Sequence, residues 1–289
     1  MYISLTPVSN GFSTIEQDVF VMRNFSIASA VSGSISLPAG ELARKYGMDP
    51  RRYRTEDGRS MNCCRREMNW DKPGKAAVVL FFHGAGERGD DNDKQLFHGA
   101  GELVGFCEKN KVKALLLFPQ CPAGKQWVDT PWNALSHTLP PESESMGLAM
   151  EILDYELKNP ELDRTRVYVV GISMGGYGTW DALSRYPEKF AAAFPVCGGA
   201  DVTLADRMKN IPIHVYHGDS DTTVPTRRSR DIVEAIRKAG GTAISYVEVP
   251  DCGHNSWGAA FREEKNWRWL FAQTKKKSFL RKLLGMFGL

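Results

Sequence analysis

The sequence predicts an α/β fold, a mostly parallel, twisted sheet with helices on both faces, and three observations lead there. From residue 76 onward, short β-branched or aromatic runs recur with little polar alternation, as parallel strands buried on both faces require. Between them lie longer stretches whose apolar residues return at helical spacing. At one strand-to-helix junction stands Gly171-Ile172-Ser173-Met174-Gly175, a Gly-x-Ser-x-Gly string that places a serine on a sharp turn.

Taken in order, Leu42 to Met48 reads as a short helix that stops before Pro50. Ser60 to Met68 is a leading strand, on which the neighbouring Cys63 and Cys64 point to opposite faces. Asp71 to Lys75 turns the chain into the first core strand, Ala76 to Phe82, and Ala114 to Phe118 follows. Pro119 to Glu142 is long and irregular, with Trp127 and Trp132 in it, and loops of that length in compact domains are usually functional or disordered. Met146, Ala149, Met150, Leu153 and Leu157 make one helical stripe. Val167 to Val170 is a strand, Gly176 to Tyr186 a helix stopped by Pro187, and Ile213 to Tyr216 the next strand. Ile232, Val233, Ile236 and Ala239 make a helix closed by Gly240-Gly241, and Ile244 to Val249 is the last long strand. No independent core is visible before residue 60. The expected organisation is an extension over 1–59 packed on the domain, the main domain over 60–274 and a separate tail over 275–289.

Composition narrows the function classes. The chain has 289 residues, 42% hydrophobic and 25% charged, which is ordinary globular composition. Its apolar runs fall far short of the roughly 20 residues that a membrane-spanning helix needs. Of the net charge of +3, the tail 275–289 supplies five Lys or Arg and no acid, so the remainder is slightly acidic. That argues against a nucleic-acid partner, which would need a basic face. The Arg-rich run from Arg44 to Arg66 carries interleaved acids and reads as solvated surface. Six cysteines show no disulfide-scaffold density and no zinc spacing, so no metal is expected. The first thirty residues lack a basic segment followed by an unbroken apolar one, and the expected location is cytoplasmic. In the tail, Phe279, Leu280, Leu283, Leu284 and Phe287 share a helical face beside Lys275, Lys276, Lys277, Arg281 and Lys282. Docking on the chain's own domain or on a dimer partner is favoured over contact with an anionic membrane surface.

The chemistry starts from Ser173. A serine hydroxyl needs a base, and the base needs an orienting acid. His254, in Asp251-Cys252-Gly253-His254-Asn255-Ser256-Trp257, lies just past the last long strand. The acid belongs after the preceding strand, where His217-Gly218-Asp219-Ser220-Asp221-Thr222-Thr223-Val224-Pro225 offers both Asp219 and Asp221. His214 and His137 read as structural or solvated. Attack on a carbonyl builds an oxyanion, which needs fixed backbone N–H donors. Met174, the residue after the serine, supplies one. The other belongs to His83-Gly84-Ala85-Gly86-Glu87-Arg88-Gly89, directly after a strand; the second His-Gly-Ala-Gly-Glu string, His98 to Glu102, follows no strand and reads as coincidental.

Together with Pro119-Gln120-Cys121-Pro122 and Trp127, these strings resemble the α/β-hydrolase esterases from about residue 60 to 272. The most similar group joins bacterial carboxylesterases, feruloyl and acetyl-xylan esterases and polyhydroxybutyrate-depolymerase-like enzymes. The resemblance implies an α/β-hydrolase fold, Asp221 as the triad acid, Ala85 as the second oxyanion donor and no cofactor. It implies a serine carboxylesterase acting through an acyl-enzyme on small-molecule or oligosaccharide esters, with acetyl or feruloyl groups as candidates. A serine peptidase of the prolyl-oligopeptidase clan and a non-catalytic binding protein on the same scaffold are the alternatives. Gly84, Gly86, Trp127 and Trp132 are the expected substrate contacts, and the short Gly198 to Asn210 connection predicts an open cleft without a large lid.

Overall fold

Along residues 30–275, which the computed structural model describes, the chain builds β1 (Val31–Ser36), α1 (Glu41–Lys45), β2 (Asp49–Thr55), β3 (Ser60–Met68) and β4 (Ala76–Phe82). There follow α2 (Ala100–Asn110), β5 (Ala114–Pro119), α3 (Glu144–Glu156), β6 (Leu162–Ile172), α4 (Met174–Arg185), β7 (Ala192–Val196) and α5 (Ala205–Met208). The chain closes with β8 (Ile213–Gly218), α6 (Arg227–Lys238), β9 (Ile244–Val249), α7 (Trp257–Arg262) and α8 (Glu264–Ala272). One sheet holds the strands in the order β1-β2-β3-β5-β4-β6-β7-β8-β9. The segment from β4 to β9 is parallel throughout, and β1, β2 and β3 join antiparallel at one edge.

Strand β4 shows why the middle of the sheet reads as an unbroken apolar run. All seven of its residues are buried, but they feed two different cores. Val78, Leu80 and Phe82 pack with α3, α4 and α6 on one face, while Val79 and Phe81 pack with α2, α7 and α8 on the other. Each such large side chain removed from water contributes about 1.5–3 kcal/mol, so helices are needed on both faces. Cys63 and Cys64 fall in opposite cores, as the alternation along β3 predicts.

After β5 the chain crosses back over β4 to form β6 on its far side. The C-terminal ends of β4 and β6 therefore flank the point where strand order reverses, the usual crevice of an open α/β sheet.

Several expectations change. The Arg44 to Arg66 run is not a solvated surface: it pairs as β2 and β3, with Tyr53, Met61, Cys63 and Cys64 buried. The arginines lie beside the pleat and find carboxylates, Arg59 with Glu151 and Arg66 with Glu108, while the Tyr53 hydroxyl donates to Glu156 on α3. The residues before 60 contribute β1 and β2 to the sheet, where no strand was expected. Helix α1 is shorter than the predicted 42–48, β6 begins at Leu162 rather than Val167, and β7 was not foreseen. The tail read as amphipathic lies, from residue 276 on, outside the described residues.

Candidate active site

Ser173 stands between the last residue of β6 and the first of α4, with φ 54 and ψ −120. That left-handed geometry costs a non-glycine residue on the order of 1–3 kcal/mol and persists only where the surroundings impose it. Here they do. A Cβ on Gly171 would lie 2.2 Å from the Gly175 carbonyl oxygen, and one on Gly175 would lie 2.0 Å from that of Phe82. The turn is packed so closely against β4 that only glycine fits on either side, and Ser173 N–H donates to Val196 O on β7.

The loops after β8 and β9 bring the partners. His254 Nε2 lies 2.8 Å from Ser173 Oγ, and His254 Nδ1 lies 2.7 Å from Asp221 Oδ2. With Nδ1–H donating to the carboxylate, Nε2 is left to accept the serine proton. The ring is also held edge-on to Trp257 at 5.4 Å. Asp221 Oδ1 accepts N–H bonds from Thr223 and Val224. Partial burial pushes this carboxyl up, but the hydrogen bonds from His217, His254 and Val224 outweigh it and hold it far below the usual carboxylate range. Asp219 is exposed and takes another place: it accepts the N–H groups of Asp251 and Cys252 and so ties down the loop that carries His254. The choice left open between the two aspartates goes geometrically to Asp221.

Ala85 opens a short 3₁₀ turn, Ala85–Glu87, and Met174 opens α4. The N–H groups of first helical residues have no acceptor within their own helix, so both are available beside Ser173. A Cβ on Gly84 would lie 3.7 Å from Ser173 Cβ, which measures how closely the loop backbone approaches. Gly86 is exposed with open space around it. His83, fully buried, clamps this loop: its Nε2 accepts Cys121 N–H, so Nδ1 carries the proton and donates to Gly84 O. Burial, opposed by that Gly84 bond, lowers its pKa to about 4 and keeps it neutral. The sequence placed His83 in the motif without giving it this work.

A family model described as phospholipase/carboxylesterase matches residues 69–267. The chain belongs to that family. Among solved structures, the phospholipase/carboxylesterase chain described here is similar to a thermostable esterase, 31% identical with a TM-score of 0.71, over 79% of this chain and 63% of that one. It is 26% identical to an uncharacterized secreted protein of Arthroderma benhamiae over 229 residues, 66% of this chain and 22% of that protein. It is 39% identical to a bifunctional acetylxylan esterase/xylanase of Neocallimastix patriciarum over 117 residues, 37% of this chain and 17% of that protein. The chain thus spans less than a quarter of the length of these two curated relatives.

One expected contact needs correction. Trp127 is 0% exposed, with its indole N–H on His83 O and its ring against Phe82, so it braces the loop after β4 from below and cannot stack on a substrate. Trp132 is half-buried, its carbonyl accepting the Tyr177 hydroxyl. The second His-Gly-Ala-Gly-Glu string follows no strand, as expected, and does other work: Gly99, at φ 80, caps α2 against Phe81, and His98 lies between Glu87 and Trp257, one ring away from His254. Of the two readings of His137, structural or solvated, the structural one fits, since it accepts from the buried Arg228 guanidinium. Among the described residues, Cys197, Asp221 and His254 bring one ligand atom each within 4.8 Å of one another. Both ring nitrogens of His254 are already engaged, Nδ1 with Asp221 and Nε2 with Ser173 Oγ, so the set does not present free ligand atoms to a cation.

Proposed function

We propose that this chain is a serine carboxylesterase. Ser173 Oγ attacks the ester carbonyl while its proton passes to His254 Nε2, and the oxyanion rests on the N–H groups of Ala85 and Met174. Collapse breaks the bond to the alcohol oxygen, which takes the proton from His254 and leaves. Water then attacks the acyl-enzyme, giving its proton to the same imidazole, and Ser173 is regenerated as the carboxylic acid departs. Asp221 holds the imidazole in the required tautomer and balances its charge. The observation that carries this reading is the continuous Ser173–His254–Asp221 chain at 2.8 and 2.7 Å.

Short acyl groups on accessible alcohols are the proposed substrates. The connection from β7 to β8 holds only a 3₁₀ turn, Val202–Leu204, and the four-residue α5, so no large lid is inserted there. The likeness to a relative named as an acetylxylan esterase points the same way. Ser173→Ala should lower the turnover of p-nitrophenyl acetate by at least a thousandfold at unchanged melting temperature; a variant with a tenth of the wild-type rate would remove the nucleophile assignment.

A further inference from the structure

We infer that His217 is a positioning residue for the triad acid, a second imidazole that shares Asp221 with His254. The inference rests on the serine-esterase reading above.

His217 is the penultimate residue of β8 and is completely buried, as is Ser229, on the first turn of α6. Its Nε2 lies 3.0 Å from Val224 O and 3.2 Å from Asp221 Oδ2. Both are acceptors, so this nitrogen carries the proton. Its Nδ1 lies 2.7 Å from Ser229 Oγ, which then donates to it. The tautomer follows from these partners: the Ser229 hydroxyl donates into one side of the ring, and the N–H on the other side donates to Val224 O with the Asp221 carboxylate in ion-pair range beside it.

The same Oδ2 receives His254 Nδ1–H at 2.7 Å, so one oxygen lies between two imidazoles. With Thr223 and Val224 on Oδ1, the carboxylate has three donors, and the His217 ring beside Oδ2 restricts its rotation. A carboxylate so held presents the same lone pair to His254 in every turnover. Its negative charge is also shared, so His217 sets how strongly Asp221 stabilises the His254 imidazolium. The other titratable groups close enough to feel Asp221 are Cys197 at the end of β7, Cys252 in the His254 loop and Tyr177 on α4, and Glu248 on β9 acts on His217. Of these groups, His254 donates to Asp221 Oδ2, and His217 Nε2 lies 3.2 Å from the same oxygen.

The test compares His217→Leu, which keeps volume and removes the donor, with His217→Gln, whose amide restores an N–H near the Nε2 position. His217→Leu should lower kcat for p-nitrophenyl acetate by about 10- to 100-fold at little changed KM. It should also move the acid limb of the pH–kcat profile up by about half a unit, because an Asp221 relieved of the His217 N–H stabilises the imidazolium more. His217→Gln should recover most of the rate and return the limb. Ser229→Ala, which leaves the ring in place but weakens its polarisation, should show a smaller loss with the limb moved in the same direction, and carries the test if His217→Leu does not fold. Wild-type kcat and limb in His217→Leu, or equal losses in both His217 variants with an unmoved limb, would overturn the inference. Ser173→Ala is measured alongside: an inactive Ser173→Ala with an unaffected His217→Leu removes only the role of His217, whereas an active Ser173→Ala removes the esterase reading itself.

Discussion

Asp219 and Asp221 are two residues apart in one loop, yet the fold separates their work. Asp221 is 8% exposed and faces His254; Asp219 points back along the loop to two backbone amides. Asp221→Asn keeps the volume but offers an amide that favours the wrong imidazole tautomer, and should lower kcat by about a thousand- to ten-thousandfold. Asp219→Asn retains an acceptor for the amides of Asp251 and Cys252 and should cost less than about tenfold. Kinetics of the two variants on one ester decide the matter, and the reverse ranking would move the triad acid to Asp219. At this scale the sequence was legible in residue type and chain order, and only the family resemblance, not the residues by themselves, pointed to Asp221 over Asp219. Nothing in Asp219-Ser220-Asp221 tells which carboxylate turns inward; the Thr223 and Val224 amides do that, through a turn that exists only once Val224 is buried. His83 and His217 escaped assignment for the same reason, since a buried histidine acquires its role from the carbonyls and hydroxyls that fix its tautomer.

Among the elements, α4 joins the nucleophile to the core. From Met174 to Ser184 every residue is buried, Asp181 included. Asp181 pairs with Arg185 at 2.8 Å, but its Oδ1 has no partner, and desolvation outweighs the ion pair and raises its pKa to about 6 from 3.8. Between those values the native state binds a proton that the unfolded chain has released. The stability due to this group is therefore full below about pH 4 and declines as pH rises through 6. Asp181→Asn does not titrate, so its stability relative to wild type should improve from pH 4 to pH 7 by about 3 kcal/mol, read from urea midpoints; a pH-independent difference would show that Asp181 ionises normally. Element legibility followed burial pattern. The doubly buried β4 and β5 and the helix α6 stood out, and β9 was placed at its observed ends. Strand β7 was missed because Pro195 removes a ladder donor from what proves to be an interior strand, and proline normally argues against that position. Strands β1 and β2 were missed because Val-Ser-Gly-Ser-Ile-Ser and Asp-Pro-Arg-Arg-Tyr-Arg-Thr carry few apolar residues, each strand having one wet face.

On the scale of the whole molecule, the sheet brings together groups that are 169 positions apart in sequence, from Ala85 to His254. The parallel strands end on one edge, and four of the loops leaving that edge carry Ala85, Ser173, Asp221 and His254. Because β4 and β6 are neighbours at the reversal of strand order, the donor loop and the serine meet without any insertion. This much followed from the motifs and their order, since Ser, Asp and His each come after a strand in the expected sequence. The support beneath the site did not: Trp127 lies in a loop that looked like a substrate wall, and only the completed fold places it under His83.

The central claim is that Ser173 is an activated nucleophile, and covalent capture tests it most directly. The intact protein is treated with a fluorophosphonate and the adduct is located by peptide mass spectrometry. One adduct is expected, on Ser173, absent from Ser173→Ala and formed much more slowly in His254→Ala. Stoichiometric labelling that persists in Ser173→Ala, or an adduct on another residue, would contradict it.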